Sequence, residues 1–180
     1  MQGDERLRLF LGLRLPVPVL DTIESWQEAH LSGLDLRLVP REHIHVTLAF
    51  LGHRPAAELE AIVDALRAAA PASGPDLRLT ASRYRETRSV AMIVLDDVGG
   101  GATALAGDLQ ARLEALGVYR RDERPWLPHL TVARFRERPR LRLEAPAMGT
   151  FVPSDAAAYL SRLHPGGAQY EVLDSVALGG

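Results

Sequence analysis

His45-Val46-Thr47-Leu48-Ala49-Phe50 and His129-Leu130-Thr131-Val132-Ala133-Arg134 share one pattern: histidine, apolar, threonine, apolar, alanine, then a bulky residue. The second copy begins close to half a chain length after the first, in a chain of 180 residues. A solenoid would repeat every ~20–50 residues, so this spacing predicts two lobes related by a pseudo-two-fold axis. Inside each copy apolar and polar residues alternate, which is the period of a β-strand. Residues i and i+2 of a strand share a face. His45 and Thr47 therefore project together, opposite Val46 and Leu48, and His129 and Thr131 do the same opposite Leu130 and Val132.

Two such strands facing each other would bring two imidazoles and two hydroxyls to one cleft. Imidazoles with a pKa near ~6.5 can serve as general acid and general base at neutral pH, each worth roughly 10²–10⁴-fold. The hydroxyls can donate to the non-bridging oxygens of a phosphate held between them. The set suffices for in-line cleavage of a phosphodiester without a metal. A single His-x-Thr on a strand would read as structural; it is the second copy that points to chemistry.

Outward from the motifs, Leu7 to Leu15 alternates strictly and reads as a half-buried strand closed by Pro16 and Pro18. Helical spacing follows over Val19–Leu31, then strands over Leu36–Val39 and Ile44–Leu51. Pro55 opens a helix over Ala56–Ala70. The second half repeats the order loosely: strands over Leu77–Tyr84 and Val90–Leu95, a helix over Ala102–Leu116 behind Gly99-Gly100-Gly101, a strand over His129–Phe135, and a hairpin of Tyr159–Leu163 with Tyr170–Leu178. Strands and helices mixed with many chances for antiparallel pairing define an α+β fold. The expected architecture is one domain over residues 1–180, two pseudo-symmetric lobes of antiparallel sheet backed by helices, with the active cleft between them.

Composition excludes several classes. No apolar run is long enough to span a bilayer, and the acidic opening Met1-Gln2-Gly3-Asp4-Glu5-Arg6 is unlike a signal peptide. A cytoplasmic, monomeric enzyme or binding domain is expected. Cysteine is absent, which removes disulfides, thiolate nucleophiles and cysteine zinc sites. All 21 positive residues are arginine, so no lysine can form a Schiff base or a covalent lysine–nucleotide intermediate. The net charge of −2 argues against a general nucleic-acid coat. Locally, however, Arg120 to Arg142 holds eight arginines against three acids. Its alternating Arg136, Arg138, Arg140 and Arg142 read equally as a rail for an RNA backbone or as the solvated face of a strand.

The chain resembles the two-histidine phosphoesterase superfamily, and within it the RNA 2',3'-cyclic phosphodiesterases also called 2'-5' RNA ligases. The resemblance rests on Arg8-Leu9-Phe10-Leu11, on Val39-Pro40 with His45 to Gly52, on Pro128 to Arg134, and on the tail from Tyr159-Leu160-Ser161-Arg162-Leu163 to Gly167-Ala168-Gln169-Tyr170. Ala49, where relatives often carry a basic residue, and Ser82–Arg88 depart from the family pattern. The resemblance implies His45 as proton donor and His129 as proton acceptor, Thr47, Thr131 and Arg134 on the substrate phosphate, and Phe50 against the terminal nucleoside. It implies no cofactor, and as partner an RNA with a 2',3'-cyclic phosphate end, tRNA halves among the candidates. Hydrolysis would yield a 2'-phosphate, and a 5'-hydroxyl in place of water would form a 2'-5' linkage. The alternatives are a phosphoesterase of small cyclic nucleotides or ADP-ribose derivatives, and a non-catalytic RNA-binding module. Strand parity puts Phe50 and Arg134 on the face away from the histidines, so a bend or bulge must re-aim them.

Three further features were weighed. His43-Ile44-His45 has the spacing of two zinc ligands but no evident third, so His43 reads as a turn residue and no metal is expected. The triple glycine lacks the spacing and the lysine of a phosphate loop and reads as a flexible lead into a helix. Trp126, Tyr119 and Phe135 are available either to stack on a base or to pack in the core.

Overall fold

The computed structural model describes residues 5–178; Met1–Asp4, on which part of the signal-peptide argument rests, and Gly179-Gly180 lie outside the described residues. The elements run β1 (Arg6–Arg14), α1 (Val17–Leu31), β2 (Arg37–Leu38), β3 (Val46–Pro55), α2 (Leu59–Ala69), β4 (Arg78–Glu86), β5 (Val90–Val98), α3 (Gly101–Ala115), β6 (His129–Arg134), β7 (Thr150–Phe151), β8 (Asp155–His164) and β9 (Gly167–Val176). This is the α+β fold the sequence implies. The strands pair antiparallel in the order β7-β4-β5-β6-β3-β1-β8-β9, with β2 also on β6. Two four-stranded halves thus meet along β3 and β6, the two motif strands, where Val46 is paired with Leu130. The pseudo-two-fold passes between those strands.

One face of the sheet carries the main core. Leu9, Leu11 and Leu13 of β1 join Val46 and Leu48 of β3, Leu130 and Val132 of β6, and the inward residues of all three helices. The opposite face carries the cleft and a small cluster of Phe10, Ala157 and Tyr159. The ring of Phe10 stacks on Tyr159 with centroids 4.6 Å apart. Mid-strand, β1 is therefore buried on both sides, whereas alternation alone predicts a half-buried strand.

Boundaries shift for local reasons. Pro18 lies inside α1, near its N-terminus, where a missing N–H costs nothing. A short 3-10 turn over Ala56–Glu58 precedes α2 after Pro55. The triple glycine is not a loose lead: Gly99 and Gly100 have φ of 89° and 82°, and both oxygens of Asp97 accept from the first amides of α3, Ala102 at 3.1 Å and Thr103 at 2.7 Å. A carboxylate thus occupies the end of the helix that would attract an anion.

The alternating arginines after β6 are not the face of a strand, since residues 136–149 form no strand. The segment is tied instead, through Arg138 and the Leu141 amide, to Glu86, whose side chain is 1% exposed. Its carboxylate accepts from Tyr84 Oη at 2.8 Å, Arg138 Nε at 3.2 Å and the Leu141 amide at 3.0 Å. Tyr119, Trp126 and Phe135 belong to the main core or its margin, not to a stacking surface.

Candidate active site

A cleft of about 720 Å³ opens on the sheet face opposite the helices, and all six residues singled out by the two motifs line it: His45, Thr47, Phe50, His129, Thr131 and Arg134. The two histidines are held alike. His45 Nδ1 lies 2.8 Å from the His43 carbonyl, and His129 Nδ1 lies 2.8 Å from the Leu127 carbonyl. A carbonyl only accepts, so each Nδ1 carries a hydrogen and each Nε2 is left for the cleft. The pseudo-symmetry of the sequence is thus a symmetry of tautomers.

The two Nε2 atoms differ in what they meet. His45 Nε2 is 2.9 Å from Thr47 Oγ1, and with Nδ1 protonated the neutral ring accepts the threonine proton. His129 Nε2 has no hydrogen-bond partner among the described residues. The His45 ring also packs 4.8 Å from Phe10 and 5.6 Å from Tyr159. Burial pushes its pKa down to about 4; the bond to the His43 carbonyl opposes that, and the neighbouring His129, His43 and Arg134 add to it. His45 is therefore neutral at physiological pH.

Phe50 and Arg134 reach the cleft by a device that appears twice. In the pairing of β1 with β3, Gly12 faces Thr47 and Leu11 faces Ala49, so Leu48 is skipped. In the pairing of β5 with β6, Met92 faces Thr131 and Ala91 faces Ala133, so Val132 is skipped. Each motif thus carries a bulge at its fourth residue, which places two successive residues in the core: Leu48 with Ala49, and Val132 with Ala133. Parity reverses, and the sixth residue of each motif emerges on the histidine side. The Phe50 ring then meets the Arg8 guanidinium, 4.7 Å from its centroid, and Arg8 Nη1 donates to Ser161 Oγ at 2.7 Å.

Among the described residues no Asp or Glu lines the cleft, whereas Arg8, Arg37 and Arg134 all do. Such a lining is built for an anion. Arg136 to Arg142 are not part of it, so of the arginine-rich run from Arg120 to Arg142 Arg134 alone lines the cleft, joined by Arg8 and Arg37 from elsewhere in the chain. Trp126 is a support: its Nε1 donates to the Thr47 carbonyl at 3.1 Å. His43 packs its ring 4.3 Å from Tyr170, and its spacing with His45 acquires no third metal ligand among the described residues.

A family model described as "2'-5' RNA ligase superfamily" matches residues 15–164. The chain belongs to that superfamily. It is 24% identical over 176 residues to the RNA 2',3'-cyclic phosphodiesterase of Methanocaldococcus jannaschii, covering 93% of this chain and 98% of the relative. It is 30% identical over 131 residues to the RNA 2',3'-cyclic phosphodiesterase of Escherichia coli K12, covering 72% of this chain and 73% of the relative. In fold it is similar to E. coli LigT crystallised with 3'-AMP, with a TM-score of 0.82 and 23% identity over 98% of this chain and all of that one. Superfamily membership and the two-lobed α+β fold expected from the motifs therefore stand together.

Several residues that build this site carry no signal in the sequence alone. A Cβ on Gly12 would lie 2.9 Å from the Val46 carbonyl and 3.0 Å from His45 Cδ2, so its missing side chain makes room for the imidazole. Arg8 needed knowledge of which strands are neighbours. Gln27 and Gln110, treated below, look on the sequence like ordinary helix residues.

Proposed function

We propose that this protein is a phosphodiesterase that opens the 2',3'-cyclic phosphate at the end of an RNA to a 2'-phosphate, with the whole chain acting as a single domain around the cleft. The observation that carries the reading is the pair of imidazoles, each with Nδ1 tied to the carbonyl two residues back and Nε2 turned into one cleft lined by arginines and, among the described residues, by no carboxylate. The names of the M. jannaschii and E. coli relatives support the substrate class.

In the hydrolytic step a water oxygen attacks phosphorus in line with O3'. The water proton passes to Nε2 of His129, whose lone pair no protein group occupies. The P–O3' bond breaks, and O3' takes a proton from Nε2 of His45, leaving a 3'-hydroxyl and a 2'-phosphate. His45 must first gain that proton. An anionic phosphate set beside it offsets the repulsion from His129, His43 and Arg134 and draws its pKa upward. Once Nε2 is protonated it needs no proton from Thr47, whose hydroxyl turns to a non-bridging oxygen; Thr131 serves the other lobe's side, and Arg134 neutralises charge. Phe50, backed by Arg8, offers its face to the terminal base. Every group needed for the proton transfers is a side chain of this chain, so the step needs no metal. A 5'-hydroxyl occupying the place of water would close a 2'-5' linkage by the same transfers.

The test is product analysis. A short RNA ending in a 2',3'-cyclic phosphate, incubated with the protein and EDTA, is expected to gain one water and to end in a phosphomonoester at O2'. A 3'-phosphate product would overturn the assignment of the leaving group. Turnover of small cyclic nucleotides alone, with the RNA untouched, would overturn the substrate class.

A further inference from the structure

The repeated bulge raises a question of satisfaction: a residue skipped by one neighbouring strand must find donors for its carbonyl elsewhere, and in a core an unmet carbonyl is costly; that of Val132 already accepts from the Val39 amide at 3.0 Å. Each bulge finds its donor in a buried glutamine. Gln110 of α3 donates Nε2 to the Leu48 carbonyl at 3.0 Å. Gln27 of α1 donates Nε2 to the Val132 carbonyl at 2.8 Å and to the Val39 carbonyl at 3.0 Å. The two side chains are among the few buried polar groups of the molecule, 8% and 3% exposed. Leu48 and Val132 hold the same place in the two motifs, three residues after each histidine. The helices are exchanged between halves: α1, from the first half of the chain, serves the second motif, and α3, from the second half, serves the first.

We propose that Gln27 and Gln110 are paired positioning residues that lock the two bulges, Gln110 aiming Phe50 and Gln27 aiming Arg134 into the cleft. Leu48 and Val132 themselves belong to the apolar core, where a buried amide side chain is exceptional. Without its glutamine the Leu48 carbonyl loses this bond, and the Val132 carbonyl keeps only the Val39 amide. Loss of the bulge would restore regular alternation and return Phe50 or Arg134 to the core face. The consequence is specific: loss of Gln110 resembles loss of Phe50, and loss of Gln27 resembles loss of Arg134, although neither glutamine lines the cleft.

The catalytic part of the test rests on the activity proposed above, so a second readout is independent of it. The chain has four phenylalanines; with all replaced by 4-fluorophenylalanine, the Phe50 fluorine resonance is assigned by its loss in Phe50→Leu. Gln110→Met, of similar shape but without a donor, is expected to shift or broaden that resonance, and Gln27→Met to leave it in place. In kcat/KM on an RNA ending in a 2',3'-cyclic phosphate, each Met variant is expected to lose about 10- to 100-fold. Gln27→Met should cost less than about twofold once Arg134→Ala is present, and Gln110→Met less than about twofold in Phe50→Ala, while the crossed pairs multiply. If a Met variant does not fold, Gln→Asn, which withdraws the donor by one methylene, is put through the same comparisons. An unmoved Phe50 resonance in Gln110→Met, or equal losses in paired and crossed backgrounds, would reduce the glutamines to core packing and overturn the proposal. A wild-type protein inactive on the RNA would sink the proposed activity, and the fluorine spectra would still decide the inference.

Discussion

Two imidazoles that share an anchor need not share a titration. His45 is held neutral by burial down to about pH 4, and the acid–base pair works only while it holds one proton in total. The acidic limb of kcat/KM is therefore expected near pH 4, well below the usual imidazole range, and a limb at pH 6 to 7 would show that the His45 environment is misread. Replacing either histidine by alanine removes one proton-transfer partner and should lower turnover by at least ~10²-fold. In the proposed step the threonines act through hydrogen bonds to a charged group. Thr47→Ala and Thr131→Ala are expected to cost on the order of 1–3 kcal/mol each, read from kcat/KM. All four residues were legible in the sequence because the pattern occurs twice and strand parity fixes their common face. Parity failed for Phe50 and Arg134, since a bulge is set by the register of neighbouring strands and by donors from distant helices.

Elements matter here through how closely they approach. At Gly12 strand β1 comes so near β3 that a Cβ would already crowd the His45 ring and the Val46 carbonyl. Gly12→Val is expected to displace the imidazole and lower kcat/KM by at least ~10-fold. Gly107, on α3, has open space around it, and Gly107→Ala should leave activity alone and raise stability by up to about 1 kcal/mol. The two glycines are indistinguishable in the sequence; only the tertiary contact separates them. The strap after β6 offers a second case. Its arginines looked like a rail or a strand face, yet Arg138 and Leu141 are tied to the buried Glu86. Glu86→Ala should expose the amides of residues 136–149 to hydrogen exchange while leaving those of β3 and β6 protected, because no core side chain of the motif strands rests on that carboxylate.

The whole molecule is a sheet whose halves meet at the motif strands, so fold and site were legible together: a repeat at half the chain length requires two similar halves, and their junction is where the repeats can face each other. The exchange of helices was not legible, because nothing local says which lobe α1 or α3 will cover. Placing a histidine at that junction also couples the site to global stability. The folded-state pKa of His45, about 4, lies below the ~6.5 expected of an unfolded chain, so the unfolded state binds the proton more readily. The stability associated with neutral His45 is complete above pH ~6.5, falls with decreasing pH, and is gone below pH ~4, a loss of about 3 kcal/mol. Urea denaturation at pH 7 and pH 4 should show a loss larger by that amount in the wild type than in His45→Gln. The central claim remains that the two imidazoles, with no metal, move the protons of one phosphodiester cleavage. The measurement that reaches it most directly is the single-turnover rate on an RNA ending in a 2',3'-cyclic phosphate, in EDTA, for the wild type, His45→Ala and His129→Ala. An unimpaired wild type and at least ~10²-fold slower cleavage in each variant are expected, with thermal unfolding still cooperative. A wild type silenced by EDTA, or either variant keeping more than a tenth of the wild-type rate, would contradict it.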